Sequence, residues 1–426
     1  MRTRAAVTHA ASAHIPASDY IPLGTPLTPH VIKLSGTGDY LAIWRLDGIT
    51  FETADRAEIL VRKEALHHFI RALGGGAYAL WSHKIRRVVN ERLPGKFPIA
   101  FCQELHERYE QSFNQHRQMA TELYLSVVYR PSPSKVKNFF TRMATRSLQQ
   151  LRDQETEQLT VLEETAHQLE ASLRRYEPQR LGTYTKQDLV YSDMLAFLGY
   201  LINGVWEEIP FRRAPLSSYL PTSRLHFGER NGMVEIWHPN ERKFAGFLDM
   251  QEYPQSSEPG MNNGILYGED EYIETQSFSI YNKRDALTSL AKQKGHLIAS
   301  EDAATSEIEQ MDQAAEDLQR GLIDLGEYHY TIAIFGPTMQ SVAKSMAETR
   351  ALFQEGSGFK MSPVDVIPEC AWFAQIPGNW RLRPREATIT SRNFVCLSPL
   401  HNFARGKRAG NPWGEALALF KTPSGQ

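Results

Sequence analysis

The run Gly336-Pro337-Thr338-Met339-Gln340-Ser341-Val342-Ala343-Lys344-Ser345 imitates a loop that holds the phosphates of a nucleotide. A strand-like run precedes it, a Gly turn opens it and a Lys-Ser pair closes it, so backbone donors, a cation and a magnesium-binding hydroxyl stand in the required order. The spacing fails at one point. Such a loop needs a second Gly directly before the Lys so that N–H groups can close around phosphate, whereas Ala343 precedes Lys344 and β-branched Val342 lies inside the loop. Helix capping accounts for the segment. Gly406-Lys407-Arg408 lacks the upstream Gly and the hydroxyl residue, and the chain contains neither a GxSxG elbow nor an HExxH pair. No catalytic, cofactor-binding or metal-ligating residue is assigned.

Three weaker constellations remain. His67 and His68 are adjacent on a helical segment, so they point to different faces instead of converging on one metal, and both read as structural. Glu301-Asp302 and the series Glu307, Asp312, Glu316 read as a solvated helix face, with a metal-dependent phosphoesterase using Glu301, Asp302 and a nearby His as the alternative. Trp237, Trp380 and the cluster Arg381 to Arg385 (RLRPR) combine rings with cations, the chemistry of a single-stranded DNA platform. A solvated loop or an inter-subunit contact is preferred for that cluster, because 47 Lys+Arg against 49 Asp+Glu supply no global field for nucleic acid. Cys102, Cys370 and Cys396 are too scattered for a zinc site and read as buried thiols of a reducing compartment.

The positioning elements follow from periodicity. Tyr40 to Arg45 reads as a strand, Asp47-Gly48 as a turn, and Ile49 to Phe51 as the return of a hairpin. Ala54 to Leu73 has helical spacing, Ala77 to Val89 the richness of a strand, Phe101 to Thr121 helical spacing again, and Leu123 to Tyr129 the alternation of a strand. A long helix is expected over 134–176, its narrow stripe fitting its own domain, a helix hairpin or a subunit contact. The apolar run Leu189 to Trp206 reads as one buried or partner-facing helix, since Ser192, Asp193 and Asn203 interrupt it as a membrane span. Strands follow at 233–237, 244–250, 272–281 and 328–335, with a helix over 303–322. The segment LYLSVVYRPSPSKV at 123–136 echoes HYTIAIFGPTMQSV at 329–342, which suggests a diverged internal duplication.

The expected fold is therefore α+β, with mixed or antiparallel sheets and packed helices. Its expected units are 1–133, a helical connection at 134–218, a second unit at 219–412, and a passage into a further domain from Trp413-Gly414. A chain of 426 residues with 42% hydrophobic and 23% charged residues is long enough for two or three such cores. The N-terminal stretch carries prolines and no apolar run of signal-peptide length, so a cytoplasmic location is expected.

One stretch is more specific than any of these patterns. ECAWFAQIPGNWRLRPREATITSRNFVCLSPLHNF, followed by GNPWGEALALFKTPSG, resembles the segment upstream of the motor in the CagE/TrbE/VirB ATPases of type IV secretion and conjugation systems. DYLAIWRLDGITFETAD, YLPTSRLHFG, MQEYPQSSEPGM, ETQSFSIYNKRDA and EDAATSEIEQMDQAAEDLQRG resemble the same family in the same order, covering nearly the whole chain. The resemblance implies an N-terminal assembly and membrane-docking half of an ATPase that energises pilus biogenesis and transfer of protein or DNA. ATP and magnesium would belong to a motor domain absent from these residues, and no catalytic residue carries over. Implied partners are a small inner-membrane secretion subunit, the cytoplasmic tails of bitopic channel subunits and further copies in dimers or hexamers. The implied location is peripheral, on the cytoplasmic face of the bacterial inner membrane.

Overall fold

A computed structural model describes residues 15–93, 95–113, 117–131, 148–228, 232–254, 256–299, 305–420 and 422. After a short turn at Ala17–Tyr20 come β1 (Leu23–Thr28), β2 (Val31–Leu34), β3 (Tyr40–Leu46), α1 (Arg56–Ala72), β4 (Tyr78–Val89), α2 (Ala100–Phe113) and β5 (Gln118–Tyr129). Then follow α3 (Leu148–Ser172), β6 (Gln179–Arg180), β7 (Thr183–Lys186), β8 (Leu189–Ser192), α4 (Asp193–Asn203) and α5 (Leu216–Tyr219). The second half has β9 (Arg224–Phe227), β10 (Val234–His238), β11 (Glu241–Glu252), β12 (Glu271–Ile280), α6 (Lys283–Ala299), α7 (Thr305–Gln319) and β13 (Leu325–Gly336). It closes with α8 (Met339–Ser357), β14 (Lys360–Pro363), α9 (Pro368–Ala374), β15 (Ala387–Thr390) and α10 (Ser391–Leu397).

Thirteen of these strands form one sheet, in the order β1-β2-β3-β5-β4-β12-β13-β11-β10-β9, with β6 on β3, β14 on β11 and β15 on β13. Every pairing of named strands is antiparallel. The order is a palindrome: each half places its third strand beside its fifth and its fifth beside its fourth, and the two fourth strands, β4 and β12, meet in the middle. The expected α+β class is present, and the two expected units share a single sheet.

Register refines the expected echo. Tyr129 pairs with Tyr40 as Gly336 pairs with Phe244, and Trp44 pairs with Arg180 as Leu248 pairs with Pro363. Tyr129 therefore corresponds to Gly336, one residue beyond the match that the echo suggests. The slip matters because side chains alternate with period two. Only this register puts Leu125 and Val127 on the same face as their counterparts Ile332 and Ile334, all four in one buried cluster.

Two apolar cores flank the sheet. One face takes Leu66, Phe69 and Ile70 of α1, Leu162, Ala166 and Leu169 of α3, Phe353 of α8 and Phe394 of α10. The other takes α4, buried from Met194 to Asn203, and Trp372 and Phe373 of α9. Each large apolar side chain buried in this way contributes about 1.5–3 kcal/mol.

Several expected elements are corrected. Ile49 does not return as a hairpin strand; β3 pairs with β2, and Ile49 forms a parallel bridge with His401 while Asp47 and Gly48 donate to the Tyr176 carbonyl. The helix expected over 101–121 ends at Phe113, and the alternation from Gln118 onward is already β5. The long helix is seen from Leu148 to Ser172, and the expected start at Ser134 lies outside the described residues. The apolar run from Leu189 begins as a strand, β8, which forms a hairpin with β7 through Gln187 (φ 50) and Asp188 (φ 62). Left-handed angles at both central residues define the tight turn that matches strand twist. Only at Asp193 does the helix begin, capped by Ser192 Oγ accepting from Leu195 N–H at 3.3 Å. Among the described residues no helix is long and apolar enough to cross a membrane.

Candidate functional site

The junction at Gly336 resolves the nucleotide-loop question by its length. β13 ends at Gly336 and α8 starts at Met339, which leaves two residues where a phosphate-binding loop needs several. Thr338 is the N-cap: its Oγ1 accepts from Ser341 N–H at 3.1 Å, and Ser341 Oγ accepts from Thr338 N–H at 3.2 Å, a reciprocal capping box. Val342 is buried, and Lys344 reaches outward to Glu348 at 3.6 Å. Ser341 N–H is thus taken by a side chain and Val342 N–H by the Thr338 carbonyl.

The other constellations are likewise engaged. Asp312 pairs with Lys294 at 2.6 Å and Glu316 with Arg320 at 2.7 Å, while Glu301 and Asp302 lie outside the described residues. In the RLRPR cluster, Arg383 is buried between Glu327 and Glu386, and Arg385 Nε meets Asp249 Oδ2 at 2.6 Å. Those two guanidiniums serve the fold, not a solvated loop. Trp380 packs edge-on against Trp81 at 4.7 Å between ring centroids, whereas Trp237 stands on β10 under Arg242. Cys396 is buried, Cys102 and Cys370 are half-buried, and all three are free thiols.

His67 and His68 diverge as expected, one buried and one exposed. His67 nevertheless joins a group that spacing did not reveal. Its Nε2 lies 2.9 Å from Ser391 Oγ and its Nδ1 3.7 Å from Glu64, in the order nucleophile, base, acid. Ser391 has no exposed surface, and its Oγ also accepts from Asp324 N–H at 3.0 Å, so no acyl group can reach it. Burial pushes the His67 imidazole down to about 4, against the opposing pull of Glu64. The trio clamps α1 to the start of α10.

A concavity beside β5 has a different character. A cavity of about 860 Å³ opens where β3 and β6 stop short and β5 continues, between Arg45, Gln118, Met119, Ala120 and the returning segment 404–422. Glu122 on its wall is paired with Arg87 at 3.0 Å, and Arg405 Nη2 donates to the Thr121 carbonyl at 2.8 Å. Arg45 donates to Gln179 Oε1 at 2.9 Å, and its charge also acts on the Asp193 carboxyl. Residues of the returning segment are strongly exposed, Trp413 at 98% and Phe420 at 89%. Among the described residues no three His, Cys, Asp or Glu side chains gather as metal ligands.

A palindromic antiparallel sheet and a sealed helix cap in place of a phosphate loop define a scaffold of the α+β class. Family comparison makes the class specific. Residues 31–137 match the model of the type IV secretion system ATPase VirB4/TrbE N-terminal domain. Residues 179–385 match that of the CagE, TrbE, VirB family, component of type IV transporter system. The chain belongs to this family. It is 38% identical over 414 residues to the type IV secretion system protein virB4 of Brucella suis, covering 96% of this chain and 49% of that protein. It is 35% identical to the type IV secretion system protein PtlC of Bordetella pertussis, covering 96% of this chain and 49% of that protein. It is 33% identical to the virB4 protein of Bartonella henselae, covering 96% and 52%. The chain spans about half the length of these relatives.

Proposed function

We propose that this chain is the assembly and docking portion of a type IV secretion ATPase, and that ATP and magnesium are handled by a motor portion elsewhere in the intact protein. The observation that carries this reading is the junction at Gly336–Met339, where residues that imitate a phosphate loop in order instead build a capped helix. The docking role draws on the groove beside β5 and on the match across both family models. In a cell it would place the chain at the cytoplasmic face of the inner membrane, against a small membrane subunit and the tails of bitopic channel subunits, serving pilus assembly and substrate transfer. Self-association into dimers or hexamers belongs to the same reading.

The single-stranded DNA reading gains no support, because Arg383 and Arg385 are engaged in ion pairs within the fold, and the phosphoesterase reading rests on Glu301 and Asp302, which lie outside the described residues. Pull-down with detergent-solubilised inner-membrane subunits of the same secretion system tests the docking role. Capture by the purified 426-residue chain is expected; no capture by a sample shown to be folded would move docking to the other half of the protein.

A further inference from the structure

We propose that the groove beside β5 receives an extended, acidic segment of a partner protein, which adds to the sheet as a further antiparallel strand. The palindrome carries the argument. In the second half, β11 leaves β13 at Thr331, and β15 takes over the vacated edge by pairing with Leu325–Tyr328. The same register that equates Tyr129 with Gly336 equates those four residues with 118–121 of β5. There β3 leaves β5 at Leu123, and the vacated edge faces the cavity. The Thr121 carbonyl points to this edge, where Asn402 Nδ2 at 3.1 Å and Arg405 Nη2 at 2.8 Å hold it in the place of a neighbouring strand and would be exchanged for the added one. Alternation then turns the N–H and C=O of Met119 to the same side, as a strand added to an edge requires.

Charge indicates what the segment carries. In the filled seat, Asp249 of β11 holds Arg385, two residues ahead of β15. The residue equivalent to Asp249 in the first half is Arg45, so the anchor has the opposite sign, and an occupant with a carboxylate two residues ahead of its strand is complementary. The inference rests on the docking reading and names the surface that performs it.

The molecule supplies its own probe. A synthetic peptide of residues 384–391 carrying Arg385→Glu is expected to protect the amides of 118–121 from hydrogen exchange in the 426-residue chain. It should bind about fivefold more tightly than the unsubstituted peptide, the worth of one exposed ion pair. Arg45→Glu should reverse that order and Arg45→Gln should abolish it. Neither peptide protecting 118–121 at millimolar concentration, or an unchanged order in the folded Arg45 variants, would overturn the proposal. The membrane-subunit tails separate this site from the broader role: full-strength tail capture by the Arg45→Glu chain would leave docking standing and place it elsewhere.

Discussion

Between pH 6.5 and 5 the folded chain should lose several kcal/mol of stability. Burial pushes the imidazoles of His67, His83 and His401 down to about 4, and holds that of His329 well below its ordinary value. His83 Nε2–H donates to the Gln375 carbonyl at 2.8 Å, and His401 Nδ1 lies 2.9 Å from Asn263 Nδ2, a bond that uses the bare nitrogen of a neutral ring. A folded-state value below the unfolded one means that the unfolded chain binds protons first as pH falls. The contribution is therefore complete above about pH 6.5 and drains away toward pH 4, at about 1.4 kcal/mol per pH unit for each ring. Asp249 acts in the opposite sense. Burial raises its carboxyl to about 6, against the pull of Arg385, so the folded state gains a proton below that pH and offsets roughly one ring. Asp39, Asp193 and Asp324 are also raised by burial and add to the offset as pH nears the carboxylate range. Four rings outweigh it above pH 5, and the remainder is comparable with a typical net stability of about 5–15 kcal/mol. Urea unfolding at intervals from pH 7.5 to 5 should show the midpoint falling steeply, and His83→Gln should flatten the slope by about a quarter to a third. A midpoint independent of pH would mean that these rings are not held neutral.

The substitution Lys84→Met should cost about 3–5 kcal/mol, the usual result of stranding one member of a buried ion pair. Lys84 Nζ lies 3.0 Å from Glu274 Oε2, and both side chains are almost fully buried. They are cross-strand partners on β4 and β12, where the two halves join. Glu274 also accepts from Asn262 Nδ2 at 2.9 Å and Gln276 Nε2 at 2.7 Å, so its carboxylate organises both sides of the seam. Adding Glu274→Gln removes the uncompensated charge while keeping an acceptor for those amides. The double variant should recover about 2 kcal/mol or more relative to Lys84→Met. A double-mutant cycle by chemical denaturation reads the coupling directly, and additive effects would show that the pair does not act as a unit.

Local signals were legible in the sequence, and long-range pairing was not. The helix at 56–72 and the strands at 78–89 and 271–280 lie within a residue or two of their expected limits because each carries its own periodicity and stop. Ile49 was given a hairpin partner because a turn signal names the nearest strand, whereas its partner His401 is more than 300 residues away. The strand in 189–192 hid inside an apolar run because Gln187-Asp188 is an unusual pair for a left-handed turn. The echo between 123–136 and 329–342 found the repeated unit but missed its register by one, since periodicity records alternation and not which face is inward. The groove had no signal at all. Arg45, Met119 and Arg405 come from three distant segments, and their meeting depends on where β3 ends relative to β5.

Equilibrium titration of the purified 426-residue chain with magnesium-ATP tests the central claim most directly, that these residues form a docking scaffold and not the nucleotide-handling part of the protein. The account expects no saturable binding in the micromolar range and hydrolysis at background, in a sample whose near-ultraviolet circular dichroism shows packed aromatic side chains. Micromolar binding that disappears in Lys344→Ala would contradict it, because it would require the sealed cap at Thr338–Ser341 to open around phosphate.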